Sequence, residues 1–273
     1  MRWSNQRESD NVEDLRGSRG GRIALGGGGI GIIIIAIAIY LCGGDPRQLL
    51  QNLPETSSVQ PPQAANRAAP DEQKKFASVV LASTEDVWRE VLPQQMRVQY
   101  TAPKLVLFTD QISSACGYAN AATGPFYCPG DQKLYLDFAF FKDLQNEFHA
   151  PGDFAQAYVI AHEVGHHVQN LLGIMDRVQS AGQSNRLSVA LELQADCYAG
   201  VWAFYAAKKG QVEPGDPQEA IRAAGAVGDD MIQRRTQGYV QPETFTHGTA
   251  QQRMQWFTKG FQAGDLRQCQ TFR

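Results

Sequence analysis

The sequence has no excess of basic residues, and it shows no internal repeat. Its 25 lysines and arginines are outnumbered by 28 aspartates and glutamates, which gives a formal net charge of −3 at pH 7. Nucleic-acid-binding proteins concentrate positive charge, so this balance predicts no nucleic-acid partner. The absence of a repeat argues against repeat architectures. With 273 residues, 43% of them hydrophobic, the chain is long enough to bury a sizeable core, predicted as one domain with extensions.

Charge is missing altogether between residues 23 and 41, where the chain reads IALGGGGIGIIIIAIAIYL. At 1.5 Å per residue this run roughly spans a hydrocarbon core of about 30 Å, so it predicts a transmembrane helix at residues 23–42. A buried core helix is the alternative, although four consecutive glycines before β-branched residues make a poor soluble helix. A cleaved signal peptide is less favoured because the run is long and no small-x-small site follows. Cys42 follows Leu41 rather than a small residue, which gives little support to a lipoprotein site.

The flanks of the apolar run predict its orientation. Arg16, Arg19 and Arg22 precede the run closely, whereas Asp45 and Arg47 follow it. The positive-inside rule therefore keeps the N-terminus in the cytoplasm and places the rest of the chain outside.

The remainder of the chain divides into a tether and a folded domain. Residues 54–71, PETSSVQPPQAANRAAPD, are rich in proline, alanine, serine and glutamine without periodicity. This composition is typical of a flexible linker, predicted at residues 43–71. The prediction is thus a cytoplasmic tail at residues 1–22 and a domain at residues 72–273.

Strand patterns come early in the domain and helical patterns later. Apolar residues recur at helical spacing in DEQKKFASVVLASTEDVWREVL, whereas KLVLFT and KLYLDFAFF predict strands. After residue 142 nearly all of the chain predicts helix, with breaks near Gly182, at residues 210–217 and at residues 238–248. This order favours an α+β fold. The strand KLYLDFAFF could offer its edge to an extended substrate.

The cysteines fit a domain outside the cytoplasm. Cys116 and Cys128 bracket a glycine- and alanine-rich loop, which a disulfide would stabilise. Cys197 and Cys269 form the second predicted pair, and Cys42 is left at the membrane boundary. Five unpaired thiols remain the alternative, because connectivity does not follow from sequence alone.

Residues 159–170, VIAHEVGHHVQN, contain three of the five histidines. On a helix His162 and His166 lie about 40° apart, so both imidazoles can point at one ion. Glu163 lies on the flank of that face, where its carboxylate can reach a metal-bound water. His167 points elsewhere and is interpreted as structural, and Gly165 predicts a close helix crossing. A core helix with several polar residues is the alternative.

A catalytic zinc site usually has three protein ligands, so a third ligand is required. Leu172 and Gln169 occupy the positions where a metzincin has its third histidine and its glycine. Downstream, Glu192 and Asp196 lie four residues apart on one face of an apolar helix, beside Ala195. Glu192 fits as the third ligand, and Asp196 fits as the acceptor of a hydrogen bond from a ligand imidazole. Two solvated helix acids are the alternative, although a buried unpaired carboxylate would be costly.

HEVGH followed by ELQAD resembles the gluzincin pattern HExxH…ExxxD. The chain as a whole resembles the "putative neutral zinc metallopeptidase" family of bacterial single-span membrane proteins. The likeness runs from ACGYANAATGPFYCPGDQKLYLD to FTHGTAQQRMQWFTKGF. The resemblance implies a zincin-like domain with one Zn²⁺ per chain, held by His162, His166 and Glu192, and with Glu163 as general base. It implies no particular substrate, since the family is largely uncharacterised.

The predicted function is a zinc-dependent endopeptidase acting on peptides or proteins. Glu163 would take a proton from a zinc-activated water and pass it to the leaving amine. His247, in TFTHGTAQQR, is the candidate donor to the oxyanion, just before a helix that Thr249 and Gln252 would cap. An ordinary loop histidine is the alternative for His247, and His149 is interpreted as a loop residue.

Two other functional classes stay open. The chain could be a catalytically silent zinc-binding module, although a structural zinc site needs no base at Glu163. It could also be a scaffold at the cell envelope that uses the domain as an adaptor. The predicted location is the bacterial inner (plasma) membrane, with a periplasmic or extracellular catalytic domain and the lipid bilayer as partner of the transmembrane helix.

Overall fold

The computed structural model describes residues 1–17, 71–120, 123–182 and 184–272. The transmembrane helix predicted at residues 23–42 lies outside these ranges, and so does the predicted linker apart from Asp71. Within the four ranges, no helix combines the length and the apolar character that crossing a membrane requires.

The described residues contain eight α-helices, which make up most of the domain. They are α1 (Glu72–Met96), α2 (Ala139–Asn146), α3 (Asp153–Leu171), α4 (Ile174–Ser180), α5 (Asn185–Lys208), α6 (Asp216–Ala226), α7 (Asp229–Gln237) and α8 (Ala250–Ala263). The boundaries agree with the breaks predicted near Gly182 and at residues 210–217 and 238–248. Two short 3₁₀ turns, Pro242–Thr244 and Leu266–Gln268, complete the helical part.

Six short strands accompany the helices in the described ranges. They are β1 (Val12–Asp14), β2 (Lys104–Phe108), β3 (Gln111–Ser114), β4 (Gly117–Asn120), β5 (Phe126–Cys128) and β6 (Lys133–Asp137). Four of them form a sheet in the order β1-β2-β6-β5, parallel except for the β5–β6 pair, and β3 and β4 form a separate hairpin. A small sheet beside many helices confirms the predicted α+β class.

The segment predicted as one strand, KLYLDFAFF, is divided between two elements. Strand β6 ends at Asp137, whose Oδ1 accepts a hydrogen bond from the backbone N–H of Ala139 at 2.9 Å and so starts helix α2. Strand β6 also pairs with β2 on one side and β5 on the other. The prediction that this segment offers a free edge is therefore wrong, and β5 is the outer strand at this end of the described sheet.

Residues near the N-terminus lie in the same compact unit as the helical domain. Met1–Arg16 and Glu72–Arg273 form one unit, and β1 pairs in parallel with β2 along residues 12–14. The sequence had suggested a tail at residues 1–22 separate from a domain starting at residue 72. The structure instead gives this tail a strand in the sheet.

Glycines bring α3, α5 and α8 into close contact. A Cβ on Gly165 of α3 would lie 3.0 Å from the carbonyl oxygen of Ala195 on α5, as the predicted close crossing requires. On the other side of α5, a Cβ on Gly260 of α8 would overlap the carbonyl oxygen of Cys197. Helix α5 therefore lies tightly between α3 and α8, and this packing positions the site described below.

Both predicted disulfides are formed. Cys116 is bonded to Cys128 across 12 residues, and Cys197 is bonded to Cys269 across 72 residues. The second bond ties helix α5 to the end of the described chain.

Candidate active site

Helix α3 presents His162 and His166 on one face, as the four-residue spacing predicts. Their rings lie 4.8 Å apart between centroids and are nearly perpendicular, at 88°. The helix is otherwise largely apolar and buried, with residues such as Tyr158 and Val164 in the core. The two imidazoles therefore lie at one cavity wall on a rigid element.

Glu192 of α5 faces both imidazoles. His162 Nε2 lies 3.2 Å from one carboxylate oxygen of Glu192, and His166 Nε2 lies 3.3 Å from the other. Although burial would raise the pKa of Glu192, the two histidines hold it well below its usual value, so the carboxylate stays ionised. The structure thus brings together the three predicted metal ligands.

The spacing of these ligand atoms fits a zinc ion. All three lie within 4.8 Å of one another. Two imidazole nitrogens and a carboxylate oxygen bound tetrahedrally at about 2.0–2.2 Å would be separated by about 3.3 Å, close to the two distances above. The donor set of two histidines and one glutamate is also one that catalytic zinc sites use.

Asp196 fixes the orientation of His162. Its Oδ1 accepts a hydrogen bond from His162 Nδ1 at 2.9 Å and a second one from the Tyr158 hydroxyl. Nδ1 is engaged in this way, so Nε2 is the nitrogen that faces Glu192. This contact is the one that the sequence predicted for Asp196, an acceptor for the imidazole of a candidate ligand.

Arg253 of α8 is a site residue that the sequence did not indicate. Its Nε and Nη2 donate to the two oxygens of Asp196 at 2.8 and 3.0 Å, and Nη2 also lies 3.2 Å from the Tyr158 hydroxyl. Burial would raise the pKa of Asp196, but the charges of Arg253 and His162 hold it below its usual value. The buried carboxylate is therefore ionised and fully paired. The only signal in the sequence is an arginine inside a helix that is otherwise partly apolar.

Gln169 plays the corresponding role for His166. His166 Nδ1 lies 2.9 Å from the side-chain oxygen of Gln169, three residues along α3. The amide nitrogen of Gln169 donates to the carbonyl of Leu191 at 2.7 Å and approaches Gln194 at 3.2 Å. These bonds orient the amide, because its nitrogen is committed to α5. The sequence contains a signal for this contact, the i, i+3 spacing.

Glu163 lines the same cavity as the three ligands. Its side chain is buried, and burial raises its pKa above its ordinary value despite the nearby imidazoles. A carboxylate with a raised pKa is better suited to accept a proton near neutral pH.

His247 lies across the cavity, in the loop before α8, where Thr249 and Gln252 form the predicted capping box. The Nδ1 atom of His247 lies 3.1 Å from Asp229 Oδ1, and its backbone N–H donates to Asp229 Oδ2 at 2.6 Å. The hydrogen bond that His247 donates to Asp229 raises the pKa of His247, although burial opposes this. Asp229 is a second residue that the sequence did not indicate. Because Nδ1 of His247 faces Asp229, Nε2 lies on the opposite edge of the ring and points away from Asp229.

The cavity itself has a volume of about 660 Å³. Outside the ionisable groups of the centre, its walls are mainly aromatic and aliphatic side chains: Phe126, Tyr127, Phe140, Phe148, Val159, Met175, Leu191, Val227 and Ile232. Asp143 is an additional charged residue in the lining. The cavity can therefore hold apolar side chains close to the cluster of candidate ligands.

The two remaining histidines lie outside the centre, as predicted. His167 is buried, and its ring nitrogens contact the Tyr127 hydroxyl at 3.0 Å and the Thr101 carbonyl at 2.6 Å. Burial lowers its pKa. His149 is exposed in the loop before α3, with a φ of +53°.

A second group of carboxylates, Asp153, Asp216 and Glu219, also lies close together. These oxygens already have partners in the fold. The Met1 amino group lies 2.8 Å from Asp153 and 3.1 Å from Asp216, and Glu219 accepts a hydrogen bond from the Phe154 backbone at 3.0 Å. This group lacks histidine and is a poorer candidate for zinc.

Comparison with known proteins shows that a family model described as "Putative neutral zinc metallopeptidase" matches residues 1–272. A relative named "Uncharacterized protein YpfJ" from Escherichia coli (strain K12) is 46% identical over 288 aligned positions, which cover 100% of this chain and 99% of that protein. "Uncharacterized protein Rv2575" from Mycobacterium tuberculosis (strain ATCC 25618 / H37Rv) is 48% identical over 202 positions, 70% of this chain and 67% of that one. No solved structure matches the chain.

Proposed function

Because this chain belongs to the family described as putative neutral zinc metallopeptidases, we propose that it is a zinc-dependent endopeptidase of the gluzincin type. The observation that carries the proposal is the convergence of His162 Nε2, His166 Nε2 and the Glu192 carboxylate at separations suited to one zinc ion. These three side chains would hold one zinc per chain. The zincin-like classification of the domain is part of the same proposal.

Zinc bound there would supply a Lewis acid, which lowers the pKa of water and polarises a carbonyl group. The chain supplies the proton transfers. Glu163 accepts the proton of the attacking water and then donates it to the amine of the departing peptide. Its buried position and raised pKa support both steps, since the group must bind a proton and release it within one turnover.

His247 completes the proposed centre as a hydrogen-bond donor to the oxyanion that forms at the scissile carbonyl. Asp229 supports this role because it engages Nδ1 of His247 and favours its protonated form, so that Nε2–H is available as a donor. Asp229 also accepts hydrogen bonds from three successive backbone N–H groups, those of Thr246, His247 and Gly248, and so holds the loop that carries the imidazole.

The proposed substrate is an extended peptide with apolar side chains near the scissile bond. The cavity is lined by aromatic side chains such as Phe126, Phe140 and Phe148, and burying an apolar side chain there is favourable by about 25 cal/mol per Å². Strand β5 (Phe126–Cys128) borders the cavity and is the outer strand at its end of the described sheet. We propose that β5 takes the role expected of KLYLDFAFF and pairs with the substrate backbone.

A catalytically silent zinc-binding module, or a scaffold at the cell envelope, is the alternative function. The position of Glu163 favours the enzyme, because a purely structural zinc site needs no uncoordinated carboxylate in its cavity. Two disulfides support a location of the domain outside the cytoplasm. Attachment to a bacterial plasma membrane through residues 23–42 stays a prediction from the sequence.

The enzymatic proposal is tested with the full-length chain, since residues 1–16 belong to the folded unit. Hydrolysis of a peptide library is compared for the wild type, for Glu163→Gln and for wild type treated with a chelator. We expect cleavage by the wild type, a rate lower by about 10²–10⁴-fold in Glu163→Gln at unchanged zinc content, and no cleavage by the chelated wild type. Zinc-loaded wild type that cleaves nothing, or Glu163→Gln that cleaves equally well, would favour the silent module.

A further inference from the structure

The segment Arg7–Arg16, called here the N-terminal segment, fits between α1 and β2. Ser9 exchanges two hydrogen bonds with Ser78 of α1: Ser9 N–H donates to the Ser78 carbonyl at 3.1 Å, and the Ser78 hydroxyl donates to the Ser9 carbonyl at 3.0 Å. On the other side, Leu105 N–H donates to the Asn11 carbonyl at 2.8 Å, and β1 continues this contact along β2. The segment is therefore held by backbone hydrogen bonds on two elements.

A buried carboxylate on α1 depends on this segment. Glu85 is 1% exposed, and its oxygens accept hydrogen bonds from the Ser9 hydroxyl, from Asn11 Nδ2 at 2.9 Å and from Arg7 Nη2 at 3.1 Å. Its own helix contributes Arg89, at 3.3 Å. Burying an ionised carboxylate is costly unless it is paired and hydrogen-bonded. Helix α1 thus carries a group whose partners come mainly from another part of the chain.

Charge complementarity continues along the sheet. Glu13 of β1 accepts hydrogen bonds from Lys104 of β2 at 2.7 Å and from Lys133 of β6 at 2.8 Å. One acid in the segment therefore bridges two basic residues on two different strands. This arrangement indicates a specific binding surface for the segment. The acid of β1 faces two lysines, and the backbone of β1 pairs in register with β2.

We infer that the N-terminal segment is a permanent structural part of the domain, and that both lie in the same compartment. Strand pairing and buried ion pairs form only between groups in direct contact, and a hydrocarbon layer about 30 Å thick would separate them. This inference conflicts with the predicted orientation, in which a tail at residues 1–22 and the domain lie on opposite sides of a single crossing.

The compartment is tested by labelling the full-length chain in bacterial spheroplasts with a membrane-impermeant maleimide. In a Cys42→Ser background, one variant carries Asp10→Cys in the segment and the other carries Lys142→Cys on α2; both positions are exposed. We expect the ratio of labelling before and after permeabilisation to be the same for the two positions. One position labelled in intact spheroplasts and the other labelled only after permeabilisation would overturn the inference.

Docking of the segment is tested by reversing one charge in the purified full-length chain. Glu13→Lys places a third positive charge beside Lys104 and Lys133, whereas Glu8→Lys changes an exposed position in the same segment. A protease that cleaves at apolar residues should cut the segment faster in Glu13→Lys than in wild type or Glu8→Lys. The triple variant Glu13→Lys/Lys104→Glu/Lys133→Glu should regain protection. Equal cleavage in Glu13→Lys and Glu8→Lys would overturn the docking.

Discussion

Arg253 and Asp196 form a two-pronged ion pair between α8 and α5, with N–O distances of 2.8 and 3.0 Å. The two side chains are 5% and 0% exposed. Burial would lower the pKa of Arg253, but the charge of Asp196 raises it well above its usual value, so the pair stays ionised. The same carboxylate hydrogen-bonds His162, so packing of α8 and orientation of a candidate ligand depend on one pair.

Replacing Arg253 should therefore be costly. In Arg253→Met the carboxylate of Asp196 stays buried without its counter-charge, and we expect a loss of about 3–5 kcal/mol in the free energy of unfolding. The measurement is denaturant unfolding at pH 7. Arg267→Met is the matched control, because the Arg267 guanidinium is 75% exposed in its pair with Asp265, and no measurable loss of stability is expected there. Equal losses in the two variants would contradict the role given to Arg253.

The amide of Gln169 should matter for zinc binding more than for folding. In Gln169→Ala, Nδ1 of His166 loses the acceptor that orients its ring, and we expect zinc affinity to fall by about 10–100-fold. Zinc affinity is measured by competition with a chromophoric chelator. Gln145→Ala, at an exposed position of α2, should bind zinc as the wild type does. An unchanged affinity in Gln169→Ala would mean that the hydrogen bond at 2.9 Å does not orient the ligand.

The two disulfides should contribute unequally. Loop-closure entropy predicts about 4 kcal/mol for the bond that closes 72 residues and about 3 kcal/mol for the bond that closes 12. The carbonyl of Cys269 accepts a hydrogen bond from Gln194, which also contacts Gln169. Replacing Cys197 and Cys269 by alanine should thus lower zinc affinity as well as stability. Replacing Cys116 and Cys128 should lower stability without changing zinc affinity. A loss of zinc affinity in this second variant, and none in the first, would contradict the link between the Cys197–Cys269 bond and the candidate ligands.

Glu85 should make the stability of the domain depend on pH. Burial would raise its pKa, but hydrogen bonds from Asn11, Ser9 and Arg7 lower it below the ordinary value of 4.5. A carboxyl group with a lower pKa in the folded state stabilises above its unfolded-state pKa, and that contribution is lost as the pH falls through the folded-state pKa. Glu85→Gln should therefore cost about 1–3 kcal/mol at pH 7, and the difference from wild type should shrink below about pH 4.

Denaturant titrations at pH 7 and at acid pH measure this difference. Glu90→Gln is the control, since Glu90 lies on the same helix and its side chain is 45% exposed in a 3.6 Å pair with Lys209. A penalty for Glu85→Gln that is equal at both pH values would show that its ionisation does not stabilise the fold.

The half of the site that contains the candidate zinc ligands follows from local sequence. His162 and His166 lie four residues apart on one helix, and so do Glu192 and Asp196, and helical geometry alone places each pair on one face. The requirement for a third ligand then joins the two helices. Gly165 indicated where they cross, because a Cβ there would lie only 3.0 Å from the carbonyl oxygen of Ala195.

The parts that escaped prediction depend on packing between distant segments. Arg253 reaches Asp196 only because α8 crosses α5, and the residues are 57 positions apart in the chain. Strand β1 has three residues, too few for a period to be recognised, and pairing with β2 is what makes it a strand. In KLYLDFAFF the apolar pattern continues past the end of the strand. The strand ends at Asp137, whose side chain accepts a hydrogen bond from the backbone of Ala139 in the first turn of α2.

The zinc content of the purified full-length chain tests the central claim most directly. Elemental analysis after dialysis against buffered zinc is compared for the wild type, Glu192→Gln and Glu219→Gln. The last variant alters the carboxylate group around Asp153 and Asp216, which lies apart from the histidines. We expect one zinc per chain in the wild type and in Glu219→Gln, and a loss of zinc in Glu192→Gln. A wild type without zinc, or Glu192→Gln with as much zinc as the wild type, would contradict the account.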